Sequence, residues 1–108
     1  MQIVAYVPDL MDRSKVQAAG RMGGHDIVFV AKAADLADAE GELVLVDLGR
    51  EGVQFQLAGL VSRDIRVVGF GSHVDSATLE AARDKGCEVH PRSSFFSVVL
   101  GEVCTAPR

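Results

Sequence analysis

The sequence is short of cysteine, proline, long apolar runs and clustered basic residues, and each shortage excludes something. Two cysteines, Cys87 and Cys104, are too few to staple a small core and lack metal-site spacing, so both read as reduced, buried small hydrophobes. Three prolines among 108 residues leave no room for a long disordered or low-complexity segment. No apolar stretch approaches the ~20 residues needed to cross a bilayer, and Met1-Gln2-Ile3 lacks the basic and apolar regions of a signal peptide. The expectation is a cytoplasmic protein without membrane contact. Eleven basic against fifteen acidic residues give a net charge of -4, and no stripe of Lys or Arg is present that could neutralise successive phosphates. Nucleic acid is therefore not an expected ligand.

What remains is ordinary globular usage, 48% hydrophobic and 24% charged, at a length that supports one continuous core. Residues 1–108 are read as one domain. Five short apolar, β-branched runs recur: Ile3 to Val7, Ile27 to Val30, Leu43 to Val46, Ile65 to Phe70 and Cys87 to Val89. Short, largely apolar runs of this kind suit parallel strands covered on both faces.

The segments between them carry helix signals. Asp75 to Lys85 has a capping Asp75 or Ser76, inward Leu79 and Ala82, basic residues in its last turn and a stop at Gly86. A final helix starts with Ser93 or Ser94 as cap and carries Phe95, Phe96, Val99, Leu100 and Val103 in helical spacing. Shorter or weaker helices are expected over Asp12 to Met22, Asp35 to Glu40 and Gln54 to Ser62. Alternating strands and helices predict an α/β fold: a doubly wound, five-stranded parallel sheet of order 2-1-3-4-5 with about five helices on two faces. In such a sheet the functional crevice lies beyond the carboxyl ends of the strands, where the strand order reverses.

The loops at that edge carry Asp9 and Asp12, Asp47, then Gly71, Ser72 and His73, then His90, Pro91 and Arg92. They form the one constellation of mixed acids, bases and hydroxyls in the chain. Gly69-Phe-Gly71-Ser-His-Val-Asp75 could hold an anion against its backbone N–H groups, but it lacks the third glycine of a dinucleotide fingerprint. His73, His90 and Arg92 could together bind an anion at neighbouring strand ends. A nucleophile elbow is absent, so hydrolase activity is not expected. Asp47 has a purely structural alternative, turning the loop Leu48-Gly49-Arg50 and pairing with Arg50 or Arg92.

Glu42-Leu-Val-Leu-Val-Asp47-Leu-Gly resembles the third strand and phosphoacceptor segment of response-regulator receiver domains. Val67-Val-Gly-Phe-Gly-Ser-His resembles their fourth strand and switch loop, and Gly86-Cys-Glu-Val-His90-Pro91 their fifth strand with its Lys-Pro ending. The resemblance runs from Met1 to about Val103 and implies the flavodoxin-like fold, with Asp47 as phosphoacceptor.

Other positions depart from that pattern. Where the family ends its first strand in a magnesium-binding acid pair, this chain has Val7-Pro8, and Asp9 comes one place later. Gly71 stands for the switch hydroxyl, with Ser72 one place late, His90 for the phosphoryl-clamping lysine, and Cys87 for an aromatic residue.

The resulting expectation is a stand-alone, receiver-like signalling domain, not an enzyme, that lacks standard aspartyl phosphorylation, needs no cofactor and acts through a protein partner or a second copy. Because the chain ends shortly after the fifth helix, no output domain is expected. Receiver domains often dimerise through the fourth helix, fifth strand and fifth helix, and the wide apolar face of Phe95, Phe96, Val99 and Val103 is the expected partner surface. Two alternatives stand beside this reading. One is a working single-domain response regulator phosphorylated on Asp47, with magnesium held by Asp9 or Asp12 together with Asp47. The other is a small anion- or nucleotide-binding domain using Ser72, His73, His90 and Arg92.

Overall fold

A computed structural model of the chain describes residues 1–105. Five parallel strands, β1 (Gln2–Tyr6), β2 (Asp26–Phe29), β3 (Leu43–Asp47), β4 (Arg66–Gly71) and β5 (Glu88–Pro91), form one sheet of order β2-β1-β3-β4-β5. That is the expected flavodoxin-like order, with the reversal between β1 and β3. All five residues of the central strand β3 are buried, which is why its run is unbroken by polar residues. The edge strands β2 and β5 expose part of each face.

Between β1 and β2 lies α1 (Leu10–Met22), between β3 and β4 α2 (Gln54–Ser62), and between β4 and β5 α3 (Ser76–Asp84). After β5, α4 (Arg92–Ser94), a π-helical stretch (Phe95–Val99) and α5 (Leu100–Thr105) follow without a break. Strand periodicity divides the core in two. Val44 and Val46 face a layer built from Leu36, Leu57, Leu60 and Leu79, whereas Leu43 and Leu45 face Val16 of α1 and Leu100 of α5.

Several expectations need correction. The crossover between β2 and β3 is a 3₁₀ helix over Ala33–Asp38, not an α-helix over Asp35 to Glu40; it buries only Ala33 and Leu36. α1 starts two residues earlier than expected because Asp9 caps it, accepting the Asp12 N–H at 3.0 Å. The last helical stretch begins at Arg92 directly after Pro91, and neither Ser93 nor Ser94 caps it. The fifth strand starts at Glu88, so Cys87 precedes it.

The expected partner surface is also corrected. Phe95 and Val103 are buried, 0% and 5% exposed, and belong to the core between the sheet and α1. Phe95 stacks on Phe70 with ring centres 4.6 Å apart, and Phe96 meets the same Phe70 ring edge-on at 5.0 Å. Two consecutive residues thus pack on one ring, within the wider turn of the π-helical stretch. Phe96 and Val99 are half-buried, and the exposed apolar residue here is Val98.

Candidate functional site

The carboxyl ends of β1, β3, β4 and β5 open on one edge, and the chain brings three carboxylates and two guanidinium groups to it. Asp47 closes β3 and is 9% exposed. Its Oδ1 accepts the Gly49 N–H at 3.0 Å and its Oδ2 accepts the Arg50 Nε–H at 3.1 Å. Of the two pairings open to Asp47, the structure makes the one with Arg50.

Arg92 belongs to a different acid. Its Nη1 and Nη2 donate to the two carboxylate oxygens of Asp12 at 2.9 and 2.5 Å, joining the first residue after β5 to the first turn of α1. Asp12 is 2% exposed, so this fork supplies the hydrogen bonds its burial requires. The hydrogen bond to Asp12 raises the guanidinium pKa, and the charges of Asp47 and Asp9 act in the same direction. Arg92, two residues beyond the His90 that stands in the lysine's place, contacts Asp12 alone among the three carboxylates.

Asp9 points to solvent. Its carboxyl is held below the usual range chiefly by the Asp12 N–H that it caps, with smaller contributions from Arg92 and Arg50. Val7, which stands at the first position of the acid pair, is buried in the core on the α1 side. Asp9, Asp12 and Asp47 are thus committed to a helix cap, to Arg92 and to Arg50. They do not converge on one cation position, and no group of three or more His, Cys, Asp or Glu side chains among the described residues could hold a metal ion. The residues present do not fit the magnesium site that the fold suggests.

The expected anion set divides. Ser72, His73 and Arg92 line one cavity of about 460 Å³, together with Lys15, Ser93 and Phe96. His90 is not among them. It lies in a separate groove of about 250 Å³ with Arg66, Glu88, Val99, Glu102 and Val103, because residues two apart in a strand share a face and His90 follows Glu88. Gly71 ends β4 opposite Pro91, where a Cβ would stand 2.9 Å from Leu79. Lys15 and Ser93 were not visible as site residues in the sequence, and Phe96, expected on a partner surface, lines this cavity instead. Lys15 comes from the second turn of a helix some eighty positions away.

No protein-family model and no curated protein sequence matches the chain. Solved structures do. The signal receiver domain of the putative response regulator NarL from Mycobacterium tuberculosis superposes with a TM-score of 0.77 at 18% identity, covering 99% of this chain and 97% of that one. A response regulator from Thermotoga maritima gives 0.74 at 14% identity, covering 98% of each chain. The phosphorylated cyanobacterial phytochrome response regulator RcpA gives 0.73 at 19% identity, over 96% of this chain and 88% of that one. The chain has the fold of response-regulator receiver domains.

Proposed function

We propose that the chain is a receiver-like signalling domain that transmits through protein contact and does not take a phosphoryl group on Asp47. The observation that carries this reading is the internal pairing of the carboxylates at the site: Asp47 with Gly49 and Arg50, Asp12 with both arms of Arg92. An aspartyl acceptor needs a cation to neutralise the incoming group, donors placed for its oxygens, and an in-line geometry. Here Arg50 and Arg92 each pair with one of the chain's own acids, and the position of the clamping lysine is filled by a histidine that lines a different groove.

The contact surface in this reading is the face of α3, β5 and the final helical stretch, where Val98 is 55% exposed and Val99 half-buried beside the His90 groove. β5 is an edge strand, so this side of the sheet has open backbone groups for a partner. Sedimentation across a concentration range separates self-association from monomer, and Val98→Glu should abolish it if a second copy is the partner.

The phosphorylation half is tested by incubating the full chain with magnesium and a small acyl phosphate and measuring its intact mass. The expected result is an unchanged mass. A phosphoryl adduct that disappears in Asp47→Ala would replace this reading with that of a working response regulator.

A further inference from the structure

The cavity beside the carboxylate cluster has a composition that the pairing of those carboxylates does not explain. Its lining is Lys15, Ser72, His73, Arg92, Ser93 and Phe96: two fixed cations, an imidazole, two hydroxyls and one ring, with no carboxylate. The charge of Arg92 is balanced by the buried Asp12, so Lys15 supplies the cavity's uncompensated positive charge. Lys15 has no ion-pair partner among the described residues; its ammonium lies 5.1 Å from the centre of the Phe96 ring. The Arg92 guanidinium lies 5.1 Å from the same centre, so the two charges are at most about twice that distance apart. The Asp12 fork uses two N–H groups of Arg92 and leaves its other donors uncommitted to that acid. Ser72 and Ser93 add hydroxyls from two different chain segments.

We propose that this cavity binds a small phosphate monoester, with the phosphate between Lys15 and Arg92 and the apolar part of its organic body against Phe96. A phosphate monoester offers several acceptor oxygens and negative charge, which matches the unpaired Lys15 ammonium, the N–H groups of Arg92 not used by Asp12, and the two hydroxyls. A cavity of about 460 Å³ falls within the range of small-ligand sites. Both cationic groups stand within cation–π range of Phe96, which keeps them near the same ring. The inference does not depend on the receiver reading, since none of it uses Asp47, and its failure would leave the mass experiment on Asp47 untouched.

Calorimetric titration of the full chain with adenosine monophosphate, inorganic phosphate and adenosine tests the site. Saturable binding of the monophosphate is expected, weaker binding of inorganic phosphate at the same place by competition, and none of adenosine. Lys15→Gln, a change at an exposed residue, should weaken the monophosphate about tenfold, while Arg21→Gln, outside the cavity, should leave it unchanged. Phe96→Leu should weaken the monophosphate more than inorganic phosphate. Absence of saturable monophosphate binding, or binding undiminished in both Lys15→Gln and Phe96→Leu, overturns the proposal. Inorganic phosphate binding as tightly as the monophosphate overturns the role given to Phe96.

Discussion

Arg92 and Asp12 stand 80 positions apart in sequence and meet in a two-pronged ion pair that ties the start of the final helical stretch to the first turn of α1. Its two halves are unequally placed. The Asp12 side chain is 3% exposed and that of Arg92 47%. Removing the cation therefore strands a buried acid, while removing the acid leaves an arginine that water can solvate. Arg92→Ala should cost about 2 kcal/mol of stability, less than the ~3–5 kcal/mol of a fully buried pair because the guanidinium is half in water. Asp12→Asn should cost about 1 kcal/mol, since an amide still accepts from Arg92. Urea denaturation of the two variants checks the order, and equal losses would contradict it.

Two glycines make an opposed pair of tests. A Cβ on Gly23, which closes α1, would lie 1.9 Å from the carbonyl oxygen of Cys104, an oxygen that also accepts from His25 Nε2 at 2.6 Å. Backbone on both sides leaves nothing flexible to yield, so Gly23→Ala should destabilise by about 2 kcal/mol or more. Gly59, in α2, has open space where its Cβ would go, and Gly59→Ala should raise stability by roughly 0.5–1 kcal/mol. Thermal melts of both proteins would show shifts of opposite sign.

The free thiols give a third test. Cys87 and Cys104 are 6% and 0% exposed, and burial raises the pKa of both, with the nearby Lys85 partly offsetting this at Cys87. The thiolate is the reactive form, so native protein at neutral pH should react with a thiol-directed disulfide reagent far more slowly than the unfolded chain. Two equivalents should react promptly in denaturant. Fast native reaction at Cys104 would mean that α5 opens readily from the sheet.

What could be read from the sequence follows from burial. β3 is buried along its whole length, so its apolar run marked both the strand and Asp47 at its end. The same argument found β5 but misplaced its ends: this half-covered edge strand runs Glu88–Pro91, against the expected Cys87 to Val89. That misplacement carried into the site. His90 aligned with a clamping lysine by position, yet strand periodicity turns it into the groove of Glu88 and Val99, while Arg92 in the next element reaches Asp12. Asp12 and Lys15 lie one turn apart on α1, and nothing local announces that the first meets Arg92 and the second Phe96. Such contacts arise from how α1 and the final helical stretch pack together, a relation that periodicity within either segment does not encode.

The edge of the sheet carries a last test, in acid. Arg66 on β4 donates to both oxygens of Glu88 on β5 at 2.5 and 2.8 Å. The hydrogen bond from Arg66 holds the Glu88 carboxyl below its usual range, with the charges of Arg66 and His90 adding to it against a smaller effect of burial. A carboxyl whose pKa falls on folding stabilises the native state fully above its unfolded value, about 4.3, and loses that contribution as pH drops through the lower folded value. Both side chains are nearly half exposed, 49% and 44%, so the contribution is a few tenths of a kcal/mol and weakens with salt. Glu88→Gln should therefore be slightly less stable than the parent at pH 7 and indistinguishable from it near pH 3. Denaturation midpoints at both values, in low and high salt, measure the gap. A gap that widened on acidification would mean that the ion pair across β4 and β5 does not stabilise this edge.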